Sequence, residues 1–132
     1  MTNEQQDRIA VGIMTGTSLD GIDACAVELR GRGLELQARP IASASAPLDT
    51  LAETLRPLAD GAPSTAAAIA SARTDLGRRC AELVDELALD RIDLVAAHGQ
   101  TVHHARDASW QLLDPSPIAH RHGCAVVSDL RS

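Results

Sequence analysis

The sequence predicts an α/β domain: a mixed β-sheet, begun by an antiparallel meander and continued by parallel strands, with helices packed on it. Three observations carry that expectation. Short β-prone runs alternate with Gly-rich turns up to about residue 43. A long apolar stripe at helical spacing follows in the middle of the chain. A nearly continuous apolar run, Ile92-Asp93-Leu94-Val95-Ala96-Ala97, then resembles a strand buried on both sides of a parallel sheet. The order of elements is β-β-β-α-α-β-α-β, in which a hairpin meander feeds βαβ units.

Each element has a local reason. Residues 1–6 are polar and read as a frayed tail. The first strand runs over Arg8–Met14 and the second over Ile22–Leu29, joined by Thr15-Gly16-Thr17-Ser18-Leu19-Asp20-Gly21. Gly31-Arg32-Gly33 turns the chain into a third strand, Leu34–Ala38, extending toward Ser43. Leu48, Leu51, Ala52 and Leu55 have helical spacing, and Pro57 ends or kinks that helix. After the loop Asp60-Gly61-Ala62-Pro63, Ser64 or Thr65 caps a longer helix. Its buried stripe is Ile69, Ala72, Leu76, Cys80, Leu83, Val84 and Leu87, with Asp75 and Arg79 paired on the polar side. His98–Thr101 reads as a turn after the buried strand, and Arg106–Ser109 as a polar loop. Pro117–His122 suits a short helix closed by Gly123, and Ala125-Val126-Val127 a last strand.

The 132 residues are of single-domain size and can bury roughly two-thirds of the unfolded surface. A net charge of −6 opposes binding to nucleic acid or to an anionic membrane. Trp110 is the only aromatic residue, so stacking platforms for single strands are lacking and the core must be aliphatic. Cys25, Cys80 and Cys124 have no CxxC spacing and read as buried free thiols in a reducing compartment. No apolar run approaches the ~18 residues of a membrane span, and no basic leader opens the chain. A soluble, cytoplasmic protein is expected.

The turn between the first two strands concentrates hydroxyls (Thr15, Thr17, Ser18) and carboxylates (Asp20, Asp23) around backbone amides. Gly16 and Gly21 allow positive φ and close approach. Such a tip can hold phosphate oxygens, with a carboxylate reaching Mg²⁺ through water. The same residue types build any hairpin turn, so composition leaves both readings open. A P-loop is excluded, because Ile22 stands where that motif needs Lys and all 12 basic residues are Arg. His98-Gly99-Gln100-Thr101 follows the C-terminal end of the buried strand, where ligands bind in open α/β sheets. Its side chains can donate to and accept from sugar hydroxyls, or the loop can be a plain polar turn. Asp114 can bind a sugar hydroxyl or cap the helix that begins near Pro115. A zinc site built from His98, His103, His104, His120 and His122 would require two loops to meet, and the spacings match neither His-Glu-x-x-His nor a Cys/His finger.

MTGTSLDGID, AHGQTVHH (97–104), QLLDP (111–115) and GCAVVSDLR (123–131), in that order, resemble the motifs of anhydro-N-acetylmuramic acid kinases. That family belongs with sugar kinases, actin and heat-shock chaperone ATPases. The resemblance implies an actin-like, ribonuclease-H-like half-domain: residues 1–132 as the amino-terminal lobe of a two-lobed kinase, truncated before the second lobe. It implies ATP and Mg²⁺ as cofactors and an amino sugar, 1,6-anhydro-N-acetylmuramic acid, as substrate, in peptidoglycan recycling. Gly16, Thr17, Ser18, Leu19, Asp20, Gly21 and Asp23 would surround the phosphates, with Asp20 on the metal through water. His98, Gly99, Gln100, Thr101 and Asp114 would contact the sugar. Leu113 stands where the family pattern generally has Gly. The aspartate that activates water would lie beyond Ser132, so the chain alone is expected to be inactive. No nucleic-acid or membrane partner is implied, and a homodimer is open to the full-length protein. A non-catalytic sugar- or nucleotide-binding module is the alternative.

Overall fold

The computed structural model describes residues 7–132; the stretch 1–6, expected to be a frayed tail, lies outside the described residues. Strands β1 (Arg8–Thr15) and β2 (Gly21–Arg30) are antiparallel, with Val11 opposite Ala26 and Thr15 opposite Ile22. Strand β3 (Gln37–Pro47) pairs antiparallel with β2. Helices α1 (Thr50–Ala59) and α2 (Ala66–Asp85) precede β4 (Leu94–Ala97), which lies parallel to β1. A separate two-stranded antiparallel sheet follows, β5 (Gln100–His104) and β6 (Ser109–Leu112). Helix α3 (Ser116–His122) then leads to β7 (Ala125–Val127), parallel to β4. The main sheet has the order β3-β2-β1-β4-β7, so β3 and β7 are its edges.

Period-two alternation decides which residues meet the helices. Val11, Ile13, Ile22, Ala24, Ala26, Val95 and Ala97 point inward and join Leu55, Leu76, Leu83, Val84 and Ile118 in one aliphatic cluster. Burying a leucine of this kind contributes about 1.5–3 kcal/mol. The alternate positions Gly12, Met14, Asp23, Cys25 and Val127 are exposed, Met14 at 54%. This face corrects one expectation: β4 is not buried on both sides. Only Val95 and Ala97 are fully covered, while Leu94 and Ala96 are half-buried, because the helices supply core from one face.

Other local expectations also shift. Gly33–Glu35 forms a 3₁₀ turn rather than strand, leaving Leu34 fully exposed, and β3 begins later and runs to Pro47. Its inward positions are the small residues Ala42, Ala44 and Ala46, whose alternation with Ser43 and Ser45 is quieter than the leucine pattern before it. Pro57 does not end α1, which continues to Ala59 and closes with Asp60 N–H on the Arg56 carbonyl at 2.9 Å. Thr65 is the α2 cap, its hydroxyl accepting from Ala68 N–H at 3.1 Å. Arg79 pairs with Glu82 rather than Asp75, which Arg78 takes instead. No helix of the described residues is long and apolar enough to cross a membrane.

The thiols divide by position. Cys25 was expected to be buried, but its place in the alternation puts it on the exposed face. Cys80 is buried in α2, and burial pushes its thiol up to about 12, the Arg79 charge opposing only in part. The folded chain therefore keeps a proton that the unfolded chain releases above its ordinary value of 9.0, so stability falls as pH rises through that window. At neutral pH iodoacetamide is expected to label Cys25 in the folded chain and Cys80 only after unfolding. Peptide mapping by mass spectrometry checks this; equal labelling rates would contradict the burial of Cys80.

Candidate functional site

Because β1 and β4 are parallel neighbours, both end at the same edge of the sheet, and the segments that follow them meet there. After β1 the chain turns through residues 16–20. Leu19, not either flanking glycine, takes the positive φ (58°). Its N–H bonds to the Gly16 carbonyl at 3.3 Å and its side chain is buried in the core. That buried leucine anchors the turn, while Thr17, Ser18 and Asp20 remain exposed. Gly21 is needed for close approach, since a Cβ there would stand 3.0 Å from the Ala46 carbonyl oxygen.

A cleft of about 400 Å³ opens beside this turn, lined by Asp20, Gly21, Asp23, Ser45 and Pro47 among others. Asp23 and Ser45 are cross-strand partners, and the Ser45 hydroxyl donates to the Asp23 carboxylate at 2.5 Å. Arg56 reaches over from α1 toward the Ser18 carbonyl at 3.5 Å. The carboxylate of Asp20 and the hydroxyls of Thr17 and Ser18 make no hydrogen bond among the described residues. Of these three, Asp20 lines the cleft, and its hard carboxylate oxygens fit a hydrated Mg²⁺. No three His, Cys, Asp or Glu side chains converge as a metal cluster among the described residues. The histidines are dispersed; His122 bonds the Ala81 carbonyl at 2.9 Å.

The segment after β4 locks onto the first turn. The Thr15 hydroxyl, buried, donates to the Gly99 carbonyl at 2.7 Å. It therefore does not join the hydroxyls at the hairpin tip. His98 N–H bonds the Ile13 carbonyl at 3.0 Å. Arg131 Nε donates to His98 Nε2 at 2.8 Å; a guanidinium only donates, so Nδ1 carries the imidazole proton and donates to the Gly99 carbonyl at 3.0 Å. Gly99 itself has φ of 79°, and a Cβ there would stand 2.8 Å from the Leu112 oxygen. Only glycine satisfies both constraints.

Gln100 and Thr101 do not form a βα turn; they open strand β5 of an unexpected hairpin, closed by Ala105 N–H on the Ala108 carbonyl at 2.8 Å. The strand escaped the sequence reading because QTVHH has too few apolar residues to show a period. Gln100 is fully buried (0% exposed), its amide nitrogen donating to the Thr101 carbonyl at 3.3 Å. Its Oε1 has no hydrogen-bond partner among the described residues. A buried acceptor left unpaired costs about 1–3 kcal/mol. Thr101 is half-buried and accepts from Gln111 at 3.4 Å.

Asp114 is held against α2. Its N–H bonds the Arg73 carbonyl at 3.2 Å, and Arg73 Nε donates to the Leu113 carbonyl at 3.0 Å. One carboxylate oxygen accepts Ser116 N–H at 3.0 Å and the other the Thr74 hydroxyl at 3.4 Å. Burial alone would raise this carboxyl, but the Ser116 hydrogen bonds, the Arg73 charge and Thr74 outweigh it and hold the carboxyl below its ordinary value. The close seat is made by Gly77: a Cβ there would lie 2.2 Å from the Asp114 carbonyl oxygen. Leu113 is buried, so the side chain standing at the family's usual Gly is absorbed by the core beside Gly99.

The edge thus gathers the first turn and the 98–101 segment, while Asp114 is seated on α2. Thr15, Arg73, Gly77 and Arg131 were not singled out for these roles from the sequence. Gly77 alone carried a usable signal, being a glycine inside an Ala-rich helix where it costs about 1 kcal/mol.

Residues 8–132 match the model of the family described as anhydro-N-acetylmuramic acid kinase. Relatives bearing that name include proteins of Salinibacter ruber (38% identical over 142 residues), Rhizorhabdus wittichii (39% over 138) and Acidiphilium cryptum (40% over 131). The matches take in 95%, 94% and 93% of this chain, and 36%, 37% and 35% of those relatives. The chain therefore spans about a third of the length of the curated relatives it matches. With the family model matching from Arg8 to Ser132, the chain belongs to the anhydro-N-acetylmuramic acid kinase family.

Proposed function

We propose that the chain forms the amino-terminal lobe of an ATP-dependent kinase of 1,6-anhydro-N-acetylmuramic acid, with the actin-like, ribonuclease-H-like half-domain fold. The reaction opens the anhydro ring with water and phosphorylates the freed 6-hydroxyl, in cytoplasmic peptidoglycan recycling. One observation carries the reading: in a chain of this family, the two motif segments are tied at one sheet edge by the 2.7 Å Thr15–Gly99 hydrogen bond. Phosphoryl transfer depends mainly on positioning and charge stabilisation, which such a joined edge suits.

In this reading Gly16, Thr17, Ser18, Leu19, Gly21 and Asp23 surround the phosphates, and Asp20 holds Mg²⁺ through water. The ion, when bound, neutralises charge on the phosphate oxygens. The buried Leu19 keeps the turn in shape, and the hydroxyls of Thr17 and Ser18 donate outward. His98, Gly99, Gln100, Thr101 and Asp114 form the sugar side. Arg131 holds the imidazole of His98 in one tautomer, which fixes where that ring presents donors and acceptors.

The test is turnover by the gene product carrying this lobe, supplied with Mg·ATP and the anhydro sugar, with the 6-phosphorylated ring-opened product followed by mass spectrometry. The 132-residue chain alone is expected to give none, because the reading places the opposite wall of the cleft in the longer chains of the family. Binding without turnover by the gene product would favour a non-catalytic module instead.

A further inference from the structure

The parallel strands β1, β4 and β7 end at the same edge of the main sheet, so the segment after β7 joins the first turn and the 98–101 segment there. It bends at Asp129 (φ of 58°), whose carbonyl accepts the Ser132 N–H at 3.3 Å and the Ser132 hydroxyl at 2.9 Å. Within the bend, Arg131 Nε donates to His98 Nε2 at 2.8 Å. The polar atoms of the 98–101 segment are turned to the protein itself. The Gly99 carbonyl takes the Thr15 hydroxyl and His98 Nδ1, which fills both of its lone pairs. With Nε2 on Arg131, neither nitrogen of the His98 ring is left over. Gln100 is fully buried, and the Thr101 hydroxyl accepts from Gln111. The Asp114 carboxylate is held by Ser116 and Thr74. Arg131 differs from all of these. It is exposed, and beyond Nε its guanidinium makes no hydrogen bond or ion pair among the described residues. Arg73, Arg91 and Arg121 face carboxylates, whereas the imidazole partner of Arg131 is neutral and leaves its charge uncompensated. With Nε fixed on that ring, the open edge of the fork is Nη1 and Nη2, two parallel donors matched to two oxygens of a carboxylate or phosphate.

We propose that Arg131 is the anion-binding residue of this edge and takes one oxyanion of a bound substrate through Nη1 and Nη2. The inference rests on the proposed kinase reading for the two anions at hand. These are the carboxylate of the sugar acid and the phosphates of ATP, which share the chemistry the fork recognises. His98 is then a positioning residue: its neutral ring accepts from Nε and sets the plane of the guanidinium. The hydrogen bonds Thr15–Gly99–His98–Arg131 run without a gap, so the fork is tied to the strand that leads into the 16–20 turn.

Calorimetry on the gene product reads the assignment, with 1,6-anhydro-N-acetylmuramic acid, its neutral carboxamide and Mg·ATP as separate probes. Arg131→Gln is expected to weaken one anionic probe about ten- to a hundredfold, the worth of a charged hydrogen-bond pair, and the carboxamide by about twofold or less. Arg131→Lys, which keeps the charge and loses the fork, is expected to recover only part of that affinity. Loss confined to the sugar acid assigns the fork to its carboxylate, and loss confined to Mg·ATP assigns it to a phosphate. Equal weakening of acid and carboxamide shows a merely structural contact, and unchanged affinity for every probe shows no contact; either result overturns the proposal. Turnover by the parent alongside either of those results leaves the kinase reading standing without Arg131. Anion-selective loss in a gene product that binds but does not turn over keeps Arg131 and removes the kinase reading.

Discussion

Gly77→Ala is expected to lower the unfolding midpoint of this chain by several degrees. A Cβ at position 77 would be 2.2 Å from the Asp114 carbonyl oxygen and 3.2 Å from the Pro117 ring, so backbone must move rather than a flexible side chain. Alanine gains about 1 kcal/mol of helix propensity over glycine, whereas forcing extra volume into a packed contact costs about 1–3 kcal/mol. The clash wins, because the nearest atom is the backbone carbonyl of Asp114, in a segment tied to α2 by the Asp114–Arg73 and Arg73–Leu113 hydrogen bonds. Thermal unfolding followed by circular dichroism measures the effect. A midpoint equal to or above that of the parent would show that the two segments separate freely. In the gene product the same substitution should raise KM for the sugar more than KM for ATP, since it displaces Asp114 and leaves the 16–23 turn alone.

Asp20→Ala is expected to have the larger consequence for turnover. The side chain is exposed and makes no hydrogen bond among the described residues, so its loss leaves the fold intact. Asp23, by contrast, is held by Ser45 at 2.5 Å. If Asp20 orients the hydrated magnesium ion, its removal takes away several kcal/mol of charge stabilisation, on the order of 10²- to 10⁴-fold in kcat. Asp20→Asn separates charge from shape and should lose nearly as much. Steady-state kinetics over a range of Mg²⁺ concentrations decides the matter. Near-normal kcat in either variant would remove Asp20 from the metal.

The architecture was legible wherever burial wrote a period into the sequence. β1, β2, α2 and β7 lie close to where alternation, helical spacing and capping place them. The hairpin β5–β6 was not legible, because Gln100, His103 and His104 break the apolar alternation, only Val102 and Leu112 reach the core, and its one tryptophan is exposed. The start of β3 was misread for the converse reason: Leu34 and Leu36 alternate persuasively but meet no core, whereas the true inward residues are alanines. At the site, the residue types of the turn were visible, but their division of labour was not. Nothing in TGTSLDG says that Leu19 takes the strained φ and fills the core, or that the Thr15 hydroxyl turns inward. Those outcomes depend on β4 lying beside β1, a pairing between segments more than 80 residues apart, as the Ala10–Leu94 register shows.

The geometry of β3 blunts an edge of the main sheet. An outer strand of eleven residues would ordinarily offer a ladder of unpaired amides to a second molecule. Here Pro40 and Pro47 remove amide donors along it, and the irregularity where β2 passes from Ala26 to Val27 bends the ribbon between them. Arg39 adds a charge near the break, already paired with Glu28 at 3.1 Å. The opposite margin, β7, is only three residues long. Lateral stacking of strands into a continuous ribbon is thus interrupted at both borders, while the open face of the sheet carries the exposed Met14, Cys25 and Val127.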